Sequence, residues 1–295
     1  MIQVKDRLFA IHTNNTSYVF FVDQINYLEH LFYGKRIEVD DNTLEALKDK
    51  YQFQFGNAIS YSQEDTNFTL ESKLLEYSTR GKGDIRNPQF EILYSNGNRT
   101  SDFKYQSYEI RKHIEMEELP TSYSSEAEDL IVTLIDNENQ VELKLIYSVY
   151  EECDVITRRA EIKNLSEDSI KILRAFSLQL DMNNDNYVFT SFHGNWINEM
   201  NRYDQDIVIG TIISESLCGL SSSRSNPFVM ISKKGTNEDF GEVYGFNLVY
   251  SGNHMESIEV NSANKLRFLT GINPTTFDWK LDKDHVFQNL HLFLF

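Results

Sequence analysis

An alternation of apolar and polar residues with a period of two restricts this chain more than anything else in it. In residues 141–150 (VELKLIYSVY), Val141, Leu143, Leu145, Tyr147 and Val149 fall on one face, while Glu142, Lys144 and Ser148 fall on the other. Successive side chains of a strand point to opposite sides, so this is a strand with one apolar and one wet face. Residues 155–164 put Ile156, Arg158, Ala160 and Ile162 on one side, and 170–181 follow after the turn-like 164–169 (NLSEDS). Three sequential strands joined by short polar turns predict an antiparallel meander.

Similar runs recur at 2–13, 16–22, 26–34, 89–94, 129–136, 227–232, 242–250 and 265–272. Asn96-Gly97 between them is a hairpin signal, and Asn137 to Gln140 and Asn261 to Asn264 are polar breaks. Residues 43–50 (TLEALKDK) read as a helix, and 51–67 form the longest stretch without a pattern. Many short strands at about 8 to 12 residue spacing predict an all-β sandwich, mostly antiparallel with few short helices.

The formal net charge is -17, which repels phosphate backbones and anionic lipid and argues against nucleic acid or membrane as a partner. Cys153 and Cys218 stand far apart without metal spacing and are expected to be buried thiols in a reducing compartment. Lys5, Asp6 and Arg7 occupy the place where a secretory leader needs an apolar run, and no stretch is long enough to span a bilayer. The expected location is the cytoplasm.

Chemistry is harder to place. The 45 acidic residues single out no pair, and His12, His30, His113, His193, His254, His285 and His291 occur singly. No metal or cofactor is therefore expected. In 81–88 (GKGDIRNP), Gly81 and Gly83 precede Asp84 and Arg86. Glycines permit positive φ, so this reads as a tight loop whose Asp84 and Arg86 brace the backbone, the alternative being a polar edge offered to a ligand. In 192–207, Trp196 stands near Arg202 and Tyr203 in polar company. It either packs at an interface or stacks on a ligand face.

Several of these segments carry a family likeness. Residues 77–88, 155–164, 173–181, 193–202 and 221–228 (SSSRSNPF), then 241–260 and 271–281 (GINPTTFDWKL), occur in this order over nearly the whole chain. Together they resemble the N-terminal β-domain of bacterial α-galactosidases of glycoside hydrolase family 36. The resemblance implies a β supersandwich of the galactose mutarotase type over residues 1–295, set before a (β/α)₈ barrel and a small C-terminal β domain. Glycoside cleavage needs two facing carboxyl groups, and the resemblance puts both in the barrel, so no catalytic residue is expected in this chain. It also implies homo-oligomers in which the β-domain makes subunit contacts and offers a loop to a neighbour's galactose pocket. That loop maps before 68–77, where this chain has Gln54, Asp65 and Thr66. Asp65 on this ground, and Asp84, Arg86 and Trp196 on their local patterns, are the residues expected to touch sugar.

Where the family continues through a Thr-Pro-Glu segment into the barrel, this chain reads 288–295 (QNLHLFLF). Such an apolar tail suggests a truncated piece, a split gene or a shifted frame, and it predicts an uncovered hydrophobic face that self-associates. Three functions are carried forward. The first is the non-catalytic front domain of a cytoplasmic α-galactosidase acting on raffinose- or melibiose-type sugars. The second is a free-standing sugar-binding or assembly module. The third is a mutarotase-type epimerase, which needs a histidine and a carboxylate converging on the anomeric carbon.

Overall fold

The alternating run at 141–150 becomes the strand Val141–Tyr150, paired antiparallel along its length with Val155–Asn164. Its apolar face is sealed: Leu143, Leu145, Tyr147 and Val149 are all buried. The computed structural model describes residues 1–48, 59–64, 66, 68–116, 119–122, 124 and 126–295. The stretch 51–67 lies mostly outside them.

The expected β supersandwich is what forms, from three antiparallel sheets. The largest has ten strands: Asn198–Asp206, Tyr187–Asn195, Ser225–Lys233, Val243–Leu248, Leu292–Leu294, Val155–Asn164, Val141–Tyr150, Glu128–Asp136 and Lys104–Lys112 in spatial order, with Val286–Gln288 also pairing Val155–Asn164. A six-stranded sheet runs Gly210–Glu215, His254–Val260, Lys265–Ile272, Ile170–Asn183 and Trp279–Leu281, with Phe90–Leu93 also against Ile170–Asn183. Ile2–Lys5, Leu8–His12, Thr16–Val22 and Leu28–Lys35 make a four-stranded meander. One apolar core joins the three: Phe246 meets Phe268 at 4.5 Å between ring centroids, and Phe20 meets Tyr147 at 5.3 Å.

The predicted three-stranded meander is half right. Val141–Tyr150 and Val155–Asn164 pair, but Ile170–Asn183 crosses into the six-stranded sheet. The turn between them causes the departure, because the Asn164 side-chain amide donates to Asp168 O at 2.8 Å and to Leu281 O at 3.1 Å, fastening it to the second sheet. The Asn96-Gly97 turn forms, with Gly97 N donating to Tyr94 O, yet the chain does not return from it as a strand. The helix expected over 43–50 covers Thr43–Leu47, about a turn and a half, with residues 49 and 50 outside the described ones. Among the described residues no helix is long and apolar enough to cross a membrane.

Two expectations are overturned. The C-terminal tail is not an uncovered apolar end: Leu292–Leu294 lies in the middle of the ten-stranded sheet, bonded to Val243–Leu248 on one side and Val155–Asn164 on the other. Leu290, Leu292 and Leu294 are at most 2 % exposed, because the two flanking strands would otherwise leave a slot of unpaired backbone and apolar wall. Asn289 fixes the entry, accepting from Ala160 N at 2.6 Å and donating to Phe176 O at 3.2 Å. Cys153 and Cys218 are exposed rather than buried, each in a connection outside the strands.

Candidate functional site

The glycine-rich loop does what the bracing reading expects. Gly81 and Gly83 sit at φ 97° and 90°, a region closed to most side chains. Arg86 turns inward, donating from Nη2 to Leu70 O and from Nη1 to Lys73 O, each at 3.0 Å. Its Nε bonds Asp84 Oδ1 at 2.8 Å. Two residues that sequence reasoning missed complete the group. Asp181 and Arg267, from neighbouring strands of the six-stranded sheet, join it through Arg267 Nη2 to Asp84 Oδ2 at 2.9 Å and Arg86 Nη1 to Asp181 Oδ2 at 3.2 Å. All four side chains are buried. Burial pushes the Asp84 carboxyl up, but the Arg267 and Arg86 guanidiniums outweigh it and hold the group below the usual carboxylate range. Asp84 and Arg86 are thus placed inside, as an ionic clasp between loop and sheet, and not at a solvent-facing edge.

A second buried cluster surrounds Glu76. Its carboxylate accepts from Tyr18 and Tyr147 hydroxyls, both at 2.7 Å, and lies 3.3 Å from both Arg158 and His30. Burial pushes this carboxyl up as well, and Arg158 chiefly holds it down. Arg158 shares its strand face with Ile156, Ala160 and Ile162, and it is a cation inside the sandwich.

Among the described residues histidine and carboxylate do converge, three times: His30 with Glu76, His113 with Asp129 at 2.7 Å, and His254 with Glu256 at 3.0 Å. No spacing announced the first two. Every one of these side chains is at most 4 % exposed, so an anomeric carbon cannot reach them and the epimerase reading gains no site. Among the described residues, no group of three His, Cys, Asp or Glu side chains is placed to hold a metal ion.

Asp65 lies outside the described residues, as does Gln54. Thr66 is exposed, and its carbonyl accepts from Ser60 Oγ at 2.9 Å.

Trp196 is where a ligand or partner can reach. It and Ile197 are the two turn residues of the hairpin joining Tyr187–Asn195 to Asn198–Asp206, and they are 83 % and 85 % exposed. The chain crosses so tightly below them that a Cβ on Gly194 would lie 2.3 Å from Asn198 O. Ile197 sits at φ 58° and Met200 at φ 57°; for the β-branched Ile197 this left-handed conformation is an outlier that costs about 1–3 kcal/mol. That strain is spent holding an indole and a butyl group in water. Tyr203 stands behind, its ring 5.4 Å from that of His193. At the base a cleft of about 370 Å³ is bordered by Arg202, Asp204, Asp206, Lys233 and Lys234. Its charges are already matched, Arg202 to Asp204 at 2.9 Å, Lys234 to Asp206 at 2.7 Å and Lys233 to Asp185 at 2.9 Å.

Comparison with known proteins points one way. The family described as the glycosyl hydrolase family 36 N-terminal domain matches residues 26–282. Alpha-galactosidase AgaA of Geobacillus stearothermophilus is 33% identical over 286 residues, which cover 95% of this chain and 38% of that protein. The bifunctional alpha-galactosidase/sucrose kinase AgaSK of Mediterraneibacter gnavus is 34% identical, over 95% of this chain and 30% of its own length. The crystal structure of the family 36 alpha-galactosidase AgaB from Geobacillus stearothermophilus superposes with a TM-score of 0.94 at 30% identity, covering 100% of this chain and 40% of that one. The chain therefore spans well under half the length of these relatives.

Proposed function

We propose, from the premise that the chain belongs to the N-terminal domain of glycosyl hydrolase family 36, that residues 1–295 act as the non-catalytic β supersandwich of a cytoplasmic α-galactosidase. The observation that carries this reading is the end-to-end match to 40% of a solved family 36 α-galactosidase, together with the closure of the chain's inward carboxylates. Asp84, Asp181 and Glu76 are locked onto guanidinium groups in a dry interior. Cleavage of a glycosidic bond needs two carboxyl groups open to the sugar on either side of it. The parent enzyme's substrates are α-galactosides of the raffinose and melibiose type, a reading supported by the raffinose complex of an AgaA variant. Two exposed, unpaired cysteines fit a reducing cytoplasm.

In this reading the domain contributes assembly and a rigid edge. Trp196 is the residue that meets a sugar face or a neighbouring subunit, since large aromatics anchor such contacts at little entropic cost. Asp84 and Arg86 serve by holding the loop 81–88 against the sheet. The parent enzyme is a homo-oligomer.

The test has two arms. The 295-residue chain is assayed alone with an aryl α-galactoside, and AgaA is rebuilt with this chain in place of its own N-terminal domain. Background turnover by the chain and recovered turnover by the chimera are expected. Turnover by the chain alone, abolished by replacing one of its own carboxylates, overturns the reading.

A further inference from the structure

The connection between Lys104–Lys112 and Glu128–Asp136 is fastened to the ten-stranded sheet through one histidine. His113 Nδ1 lies 2.7 Å from Asp129 Oδ1, and its Nε2 lies 3.0 Å from Ser122 O and 3.3 Å from the Tyr150 hydroxyl. The same hydroxyl is hydrogen-bonded to Ser122 Oγ. A carboxylate and a carbonyl only accept, so a ring that bonds both must carry a proton on each nitrogen. The neutral ring can keep only one of the two. Tyr150 offers it a replacement, because a hydroxyl can donate to Nε2 once that nitrogen has lost its proton. The side chains of His113 and Asp129 are 2 % and 1 % exposed, so bulk water does not make up for a lost bond. One proton therefore decides between two hydrogen-bonding arrangements.

We propose that His113, Asp129, Ser122 and Tyr150 form a proton-operated fastener: the charged ring grips Ser122 and Asp129 together, and the neutral ring turns Nε2 over to Tyr150 and lets Ser122 go. The surrounding groups suit such a change. Asp129 keeps its charge, since burial pushes its carboxyl up but hydrogen bonds from His113 and Ser148 outweigh this and hold it below the usual range. Ile114 N at 3.4 Å and Arg111 Nε at 4.0 Å face its second oxygen. Tyr150 stays a hydroxyl to high pH, pushed up first by burial, then by Asp129 and Glu115. Arg159, on Val155–Asn164, disfavours the charged ring. His291, before Leu292–Leu294, stands with its ring 6.4 Å from that of His113 and has no hydrogen-bond partner among the described residues. The Asp129 hydrogen bond prevails over burial and Arg159, so His113 gives up its proton above the ordinary histidine value. The grip is complete below that ordinary value and is lost as pH rises through the folded one. His113 N still donates to Ala127 O at 2.9 Å in either state, so the connection loosens between its ends and does not detach.

The 295-residue chain carrying isotope-labelled histidine tests this by nuclear magnetic resonance, apart from any galactosidase activity. The His113 signals, identified by their loss in His113→Gln, should show both ring nitrogens protonated at about pH 6 and Nδ1 alone at about pH 9. Over the same range, hydrogen exchange of the peptide containing Ser122, taken relative to its free-chain rate, should lose about tenfold in protection, the worth of one charge-assisted hydrogen bond. Protection of Lys265–Ile272 should hold, and His113→Gln should remove the pH dependence. Tyr150→Phe takes away the donor that the neutral ring needs and should move the His113 transition to higher pH. Should His113→Gln not fold, that shift identifies the same signals. Four results overturn the proposal: a ring with a single proton at about pH 6, protection that does not fall as the ring titrates, a fall that survives in His113→Gln, or an unmoved transition in Tyr150→Phe.

Discussion

Arg267 and Asp181 face each other across adjacent strands as a two-pronged pair, Nε to Oδ1 and Nη2 to Oδ2 both at 2.8 Å, with neither side chain exposed. They are register partners in the sheet, so backbone pairing and side-chain pairing reinforce one another. Asp181 also accepts from Leu75 N at 3.0 Å and from Arg86, tying the segment before the glycine loop to the same carboxylate. Removing one member strands a charge in a dry interior. Asp181→Asn or Arg267→Met is expected to cost about 3–5 kcal/mol, read as a lower urea midpoint at unchanged slope. Replacing both together by apolar residues should cost less than either alone.

The strand Leu292–Leu294 carries the next expectation. Leu292 is fully buried between two strands, and its truncation leaves a cavity. Leu292→Ala should destabilise by about 2–5 kcal/mol in denaturant unfolding. An effect below 1 kcal/mol would contradict its central position.

Acid should weaken the fold through His291. Both of its ring nitrogens are buried without a hydrogen-bond partner among the described residues, and burial first, then Arg159 and His113, lower its pKa to about 4. The unfolded chain takes up the proton near pH 6.5 and the folded protein refuses it until about pH 4. Stability from this residue is intact above that window and falls by about 1.4 kcal/mol per pH unit inside it. His113 works the other way, its pKa raised chiefly by the Asp129 hydrogen bond. Its contribution is present below the unfolded value and is lost as pH rises through the folded one. The difference between wild type and His291→Phe, followed from pH 7 to 4, should isolate the first effect as a flatter acid limb.

Both thiols should be open to reagent in the folded state. Cys153 and Cys218 are exposed, and the Ser216 hydroxyl beside Cys218 lowers the pKa of that thiol. Ellman's reagent is expected to label two cysteines without denaturant, the faster phase vanishing in Cys218→Ser.

Trp196→Ala should separate contact from stability. With the indole 83 % exposed, the thermal stability should stay within about 0.5 kcal/mol of wild type. Galactoside binding or subunit assembly of the chimera should fall.

The all-β class was legible because the apolar face of strands such as Val141–Tyr150 is uninterrupted. Strands that lie at an edge wrote no such pattern. Lys104–Lys112 and Asn198–Asp206 are wet on most positions and are absent from the alternating runs, although each is paired along most of its length to its one neighbour. Backbone bonds need no alternation, only a partner. The clasp was half visible: Gly81, Gly83, Asp84 and Arg86 announce a braced loop, but Asp181 and Arg267 stand 95 and 181 positions after Arg86 and nothing local marks them as its partners. The tail misled for a related reason. A short apolar run without alternation looks unpartnered until the slot between Val243–Leu248 and Val155–Asn164 is known. Trp196 was legible as an unusual residue, while the left-handed backbone that holds it out was not.

The placement of Leu292–Leu294 sets a timetable for synthesis. The hairpin of residues 141–164 can form soon after it leaves the ribosome, since its contacts are local. One side of Val155–Asn164 must then wait, open, until residues 292–294 emerge more than a hundred positions later. During that interval the nascent chain displays an unsatisfied apolar edge to its own later strands and to its neighbours, the condition under which mispairing competes with folding. Yield of this domain in a cell should therefore depend on what shields the edge of Val155–Asn164 until residues 292–294 have emerged, more than on the final stability of the sandwich.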